Sequence, residues 1–526
     1  MPFETPTLVD AYFMDGLLLL TCIVLRYGNT VPKTSLPRQV LNYTTSEAGN
    51  PIVDGWYADP DTAIYEGKHW IFPTSSYDYD EQTYLDAFSS PDLINWTKHP
   101  NILTVKDVAW AKYAVWAPAP AFRNGKYYLY FGANDLQEDE AKRGVVGGIG
   151  VAVADKPQGP YVDAIGKPLI GNYSTFPGAQ PIDQDVFIDD DGRAYIYYGG
   201  HKHANVAKLN KSMTELDKFE DGTEFKEITP FDYVEGPQML KRQGKYYLMW
   251  SAGGWTGPDY RVSYLMADSP LGPFLNKTGN LILQQDSAVA RGSGHNGIIH
   301  IPNTDIYYIT YHRRPLGETD GNHRVLCYDR LYFNEDGSIE PIKMLVKDNF
   351  ADGNMYGWKT YGKVLDGVRV TEKKLEVKSD GEESVIVALD TNFADQTYDA
   401  TVHLTEGSNS TTANAGLLFR VENVSLGLAS VKGYYAGLSN AGRVLFTKFS
   451  DGKPETTVFV ENVTIAAGVE HHVRVRAIGQ SISLYVDDVE SPVLRVNDTT
   501  YVHGANGVMA LDGVARFGNV SISEVV

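Results

Sequence analysis

The sequence predicts an all-β protein, a five-bladed β-propeller followed by a β-sandwich. Three observations carry that expectation: a strand–turn–strand phrase recurs five times, apolar residues never fall into 3.6-residue spacing within it, and the chain changes character after about Val346. The phrase occupies 63–72, 121–130, 186–197, 239–249 and 297–310. Each copy sets a short apolar strand, a turn and an aromatic second strand in the same order. Asn124-Gly125 and Asp191-Gly192 are turn pairs that supply the positive φ angles a tight hairpin demands. Starts fall roughly 50 to 65 residues apart, the span of a four-stranded blade. A sandwich in this region would give no reason for five matched phrases.

Composition bounds what such a fold could do. The chain has 526 residues, more than one ordinary domain. Its net charge of −20 argues against nucleic acid or an anionic membrane as partner, since both need basic patches. A neutral polysaccharide suits that charge, and 34 Tyr with 8 Trp suit both β-structure and sugar faces. A monomer is expected. The two cysteines, Cys22 and Cys327, build neither a disulfide framework nor a zinc site. The apolar run Gly16 to Leu25 is too short to span a bilayer and reads as an atypical signal within residues 1–30, because no Lys or Arg precedes it. Ten N-x-S/T sequons, at Asn42, Asn95, Asn172, Asn210, Asn276, Asn409, Asn423, Asn462, Asn497 and Asn519, point to a secreted glycoprotein.

The chemistry lies just ahead of each repeated turn. Asp59 stands eight residues before Gly67; Trp116, Asp183 and Glu235 stand nine before Gly125, Gly192 and Gly244, and His295 nine before Thr304. On that count the five residues hold equivalent places on the innermost strands and converge on the axis. Three convergent carboxylates without a clear cation partner suggest general acid–base work of the sort glycoside hydrolysis needs, one ionised and one protonated. A third carboxylate, ionised nearby, raises the acid by like-charge repulsion. Asp185 shares a strand face with Asp183 and is its rival. Asp189 to Asp191 read as a hairpin turn, not a calcium loop. Trp116 is a sugar platform or core, and Arg313, in Tyr311-His-Arg-Arg314, a sugar ligand or a structural ion pair. Tyr77, Asp78, Tyr79 and Trp255 lie in loops suited to outer subsites.

These residues carry a resemblance. Asn50-Pro-Ile-Val-Asp-Gly-Trp-Tyr-Ala-Asp-Pro60, Trp116-Ala-Pro118, Ile182 to Gly192, Glu235-Gly-Pro237 and Gly292-Ser-Gly-His-Asn296 are similar, in order, to the signatures of glycoside hydrolase family 43. The chain departs from that pattern at Gln184 and Asp185, where the family often has Pro and a small residue. The resemblance implies an inverting five-bladed propeller over 45–345, with Asp59 as general base, Glu235 as general acid and Asp183 as modulator and orienter. It further implies that His295 organises a central water or a structural calcium ion near the axis; no cofactor is otherwise expected. Among members the likeness is strongest to fungal arabinofuranosidases. The expected activity is therefore release of α-L-arabinofuranosyl branches from arabinoxylan, with β-xylosidase or arabinan-degrading activity as alternatives and a non-catalytic sugar-binding propeller as the answer of a different class. The expected partners are plant cell-wall polysaccharides: arabinoxylan, arabinan and xylo-oligosaccharides.

Residues 347–526 show short alternating strands such as Ala415 to Val421, His472 to Arg476 and Ser481 to Asp487. They fit a sandwich and resemble the concanavalin-like sandwiches appended to such hydrolases. Sugar binding and a purely structural role are both open for this domain.

Overall fold

The computed structural model describes residues 50–524 apart from 135–143, 172–178, 362–366, 380–384, 406–412, 425–428 and positions 352, 423, 462, 466 and 467. The expected signal segment and Asn42, Asn172, Asn409, Asn423 and Asn462 lie outside the described residues.

Five antiparallel sheets follow one another along the chain, each with its innermost strand first: Tyr57–Tyr65, Val115–Arg123, Asp185–Ile188, Glu235–Arg242 and Ala290–Ile301. These are the blades. Successive side chains on a strand face opposite ways, so in a propeller each blade buries both faces against its neighbours. Blade 3 shows it: Tyr195 and Tyr197 pack with Leu248 and Trp250 of blade 4, while Ile196 and Tyr198 pack with Tyr130 and Val151 of blade 2. Blades 1 and 2 share Phe72 and Phe131, blades 4 and 5 share Met249 and Ile309, and blades 5 and 1 share Tyr308 and Ile71. The tyrosine richness is thus mostly core. Their hydroxyls find acceptors, as in Tyr130 to Met213 O at 2.6 Å and Tyr197 to Pro270 O at 2.8 Å.

Blade 5 contributes three strands from its own sequence. Segment 50–57 closes the ring beside its outer strand, through Ile52 N to Leu326 O and Tyr57 N to Arg324 O, both 2.8 Å. Asn50 completes the closure, donating to Tyr328 O and accepting from Tyr328 N.

The hairpin turns explain a misalignment in the sequence count. Blades 1, 2 and 4 turn on two left-handed residues, Glu66-Gly67, Asn124-Gly125 and Gln243-Gly244. In blade 3 the turn runs from Asp189 to Arg193, closed by Asp189 N to Arg193 O, so its glycine sits later. Offsets measured to the glycine are therefore not equivalent across blades.

The C-terminal region forms two further antiparallel sheets, of eight and seven strands, around one core. Val473, Val475 and Ala477 of the first face Val387, Leu417 and Phe419 of the second. Ala288, from the loop between blades 4 and 5, joins that core. Arg420, 1% exposed, ties the end of this sandwich by donating to Ala394 O, Gly479 O and Asp395.

Candidate active site

Four of the five inner strands carry a β-bulge near the start; in blade 3 the strand Asp185–Ile188 pairs without a shift and Asp183 lies just ahead of it. Ala58 pairs with Thr74 and Asp61 with Phe72, so three steps on one strand oppose two on the other. The same count holds for Trp116 to Ala119, Glu235 to Gln238 and Gly294 to Gly297. At each bulge one residue takes positive φ: Asp59 (47°), Ala117 (42°), Gly236 (61°) and His295 (46°), with Asp183 (55°) in the same place in blade 3. These five are the equivalent positions. Trp116 and Glu235 lie one residue upstream, which corrects the register expected from the turn offsets. Bulges re-aim side chains, and left-handed non-glycine residues cost free energy that the surrounding structure must offset.

Each bulge also leaves backbone groups without a ladder partner, and neighbouring blades capture them. Ala117 N donates to Thr74 Oγ1 at 2.7 Å, His295 N to Ser251 Oγ at 2.9 Å and Asp59 N to His312 Nδ1 at 3.2 Å. Gln184 Nε2 donates to Ala117 O. Asp185 accepts from Met239 N at 2.7 Å. Gln184 and Asp185, the departures from the family pattern, are therefore inter-blade ties. This places Asp185 in a bridging role, with Asp183 facing the site.

The ring of bulges brings Asp59, Asp183, Glu235 and His295 together. His295 Nδ1 lies 3.3 Å from Asp59 Oδ1 and 3.9 Å from Asp183 Oδ2. Gly236 makes room for that ring, since a methyl there would sit 3.3 Å from His295 Cγ. Arg324, unforeseen in the sequence, donates from one guanidinium nitrogen to Asp59 Oδ1 at 2.9 Å and from Nε to Ser76 Oγ at 2.9 Å. Tyr260 donates to Glu235 Oε1 at 2.8 Å, with its ring stacked on His312 and lying over Gly294. The carboxylates thus do have cation partners. Tyr260 and Arg324 stand in turn and loop segments with no periodic mark; His312 was visible only as part of Tyr311-His-Arg-Arg314.

These contacts set the protonation states. Burial alone would raise Asp59, but the Arg324 guanidinium, the His295 charge and hydrogen bonding hold it well below the usual carboxylate range. Burial opposes a charge on His295, yet Asp59 and Asp183 overcome it and push the imidazole up to about 9. Asp183 is pushed up to about 8 by burial, with His295 opposing and the charges of Glu235 and Asp59 reinforcing. Glu235 is raised by burial, against the Tyr260 bond and His295. His312, pushed down to about 3 by burial and Arg324, is neutral and accepts the Asp59 N–H, so its 3.3 Å approach to Oδ1 is not an ion pair. One carboxylate held ionised therefore faces two that burial raises, and the charge expected of Asp183 as modulator appears only as it ionises.

Trp116 is half-buried, its indole over Gly132 and 6.3 Å from the Tyr79 ring. Arg313 does not reach the site. It is 6% exposed on the opposite face of its strand from His312 and donates to Tyr311 Oη at 3.4 Å, in a core with Asp329 and Cys327. Strand alternation puts residue 312 towards Asp59 and residue 313 away. Among the described residues no three His, Cys, Asp or Glu side chains are arranged to hold a metal.

A propeller whose axis opens on one carboxylate lowered by its cation partners and two raised by burial is the framework of a glycoside hydrolase. The model for glycosyl hydrolases family 43 matches residues 48–339, and the chain belongs to that family. It is 46% identical over 328 residues to a β-D-galactofuranosidase of Aspergillus niger, covering 60% of this chain and 91% of that protein. It is 29% identical to a xylosidase/arabinosidase of Humicola insolens, covering 55% and 98%. An α-L-arabinofuranosidase structure from Clostridium thermocellum, 30% identical, covers 54% of this chain and 93% of its own, with a TM-score of 0.44.

Proposed function

We propose that this hydrolase removes terminal α-L-arabinofuranosyl residues from arabinoxylan with inversion. The observation that carries the reading is the split between Asp59, held ionised by Arg324, and Glu235, which burial raises in the opposite direction. Asp59 draws a proton from a water molecule as it attacks the anomeric carbon; Glu235 delivers its proton to the departing glycosidic oxygen. Asp183 and His295 hold the sugar and share the site's charge, and Trp116 offers an apolar face to the ring. Asn95, Asn276, Asn497 and Asn519 are exposed, as N-glycosylation of a secreted protein requires.

A second reading, release of β-D-galactofuranosyl residues, is favoured by the Aspergillus niger relative. The two sugars share a furanose ring configuration, and galactofuranose adds one hydroxylated carbon beyond it, so the same carboxylates would serve both. The test is turnover of 4-nitrophenyl α-L-arabinofuranoside, β-D-galactofuranoside and β-D-xyloside, with identification of the sugar freed from wheat arabinoxylan. Arabinose release, lost by roughly 10²-fold or more in Glu235→Gln and Asp59→Asn, supports the first reading. Galactose-only turnover supports the second, and undiminished release by either variant overturns the assignment of the carboxylates.

A further inference from the structure

The segment 316–324 joins the second and third strands of blade 5, Ile306–Pro315 and Val325–Leu331, at the end of the propeller where the carboxylates lie. Its C-terminal end is part of the site: Arg324 holds Asp59, and Asn322 donates to Asp78 Oδ1 at 3.0 Å while its carbonyl accepts from Ser76 Oγ. Two glycines of this strap each lie against an aromatic residue. A methyl on Gly321 would meet Thr256 at 2.8 Å and Trp255 Cζ3 at 3.6 Å. A methyl on Gly317 would lie 2.3 Å from Cε2 of Tyr356 and 2.7 Å from Cδ2 and Cζ, so that ring rests directly on the strap backbone.

Tyr356 belongs to the sandwich. It sits in the turn before the strand Trp358–Tyr361, with its amide held by Asn354 Oδ1 at 3.0 Å. The next residue, Gly357, packs on Ala288 O and the Leu316 side chain, which fixes the turn against the propeller rim. Although so held, Tyr356 is 57% exposed and Trp255 is 39% exposed. Trp255 lies over the Arg324 guanidinium at 5.0 Å, one step from Asp59. A series therefore runs outward from the catalytic pair: Arg324, Trp255, the strap, then Tyr356. The two glycines are at most about 14 Å apart along the chain, a reach of a few linked sugar rings. Folding leaves both large rings partly in water, and rings presented on fixed backbone are preorganised surfaces for a flat, amphipathic ligand.

We infer that Trp255 and Tyr356 form a platform for the main chain of the branched polysaccharide, and that the sandwich takes part in polymer recognition through Tyr356. The inference rests on the reading of the site as one that removes a branch from a polymer. The ligand class is a chain of linked neutral pyranose units, seated on ring faces beyond the sugar that is cleaved.

The test compares two substrates in the full-length chain. For Tyr356→Ala, the ratio of kcat/KM on wheat arabinoxylan to kcat/KM on 4-nitrophenyl α-L-arabinofuranoside should fall about three- to tenfold, carried by KM. Tyr356→Trp should restore the ratio. The inactive Glu235→Gln variant should be retarded by arabinoxylan in affinity electrophoresis, and Glu235→Gln with Tyr356→Ala should be retarded less. An unchanged ratio overturns the platform, as does an equal fall on both substrates, which would mark Tyr356 as a prop for the strap. If the unsubstituted chain turns over neither substrate, the functional reading itself has failed and the platform falls with it.

Discussion

Replacing Arg324 by Met removes the guanidinium that keeps Asp59 ionised and leaves a similar apolar volume beneath Trp255. The nitrogen lies 2.9 Å from Asp59 Oδ1. Coulomb's law at that separation gives about 6 kcal/mol with an effective dielectric of 20 and about 1.4 kcal/mol with that of water. At 1.36 kcal/mol per pH unit, losing it raises the Asp59 carboxyl by about one to four units. His295, 3.3 Å away and cationic, survives the substitution and moderates the rise towards the lower end. The sign follows from which form works. Asp59 is lowered in the folded protein, so both its contribution to stability and its action as base are present above the ordinary carboxylate range and are lost as pH falls through its folded value. In Arg324→Met that loss moves to higher pH. The acid limb of kcat/KM, read with an aryl furanoside, should move to higher pH by about one unit or more, and removing one partner of a buried pair should cost about 3 kcal/mol of stability. Arg324→Lys should reverse part of that shift, because it keeps a charge but cannot hold Ser76 and Asp59 together with one planar fork. An acid limb that does not move, with kcat/KM reduced equally at every pH, would refute the reasoning: Arg324 would then be a sugar ligand that leaves Asp59 untouched.

Two further substitutions probe the same electrostatics and the limits of the site. Tyr260→Phe deletes the hydrogen bond to Glu235 Oε1 that opposes its raised pKa, while keeping the ring that covers Gly294 and His312. The alkaline limb of kcat/KM should move up by about one to two units, since a bond to a charged group contributes about 1.5–3 kcal/mol; a limb that stays put or moves down counts against Glu235 as the acid. Arg313→Met should lower the thermal midpoint, because Asp329 would remain buried with one fewer favourable charge. KM for the aryl furanoside should be unchanged, and a raised KM would return Arg313 to the sugar pocket.

The sequence by itself determined the blades, because their signals are local. Alternation, turn dipeptides and repeat spacing lie within ten or so residues and respond to backbone sterics that any context preserves. It also determined which carboxylates stand at the inner-strand starts, since blades 1, 3 and 4 each carry one just ahead of a recognisable phrase. Their exact register was not decided locally: a glycine in the longer turn of blade 3 imitates the glycine of a two-residue turn, and only the left-handed backbone at the inner end of each blade shows that Asp59, Ala117, Asp183, Gly236 and His295 correspond. The charges were decided by tertiary structure alone. Arg324 meets Asp59 across 265 residues and Tyr260 meets Glu235 through a loop. Between Arg313 and Arg324 nothing in the chain distinguishes sugar pocket from core; one residue of strand phase and the closure of blade 5 onto blade 1 do. The same long-range folding carries Tyr356 from the sandwich to the rim of the site. A pKa depends on everything within several ångströms, and in a closed ring of blades those neighbours come from every part of the chain.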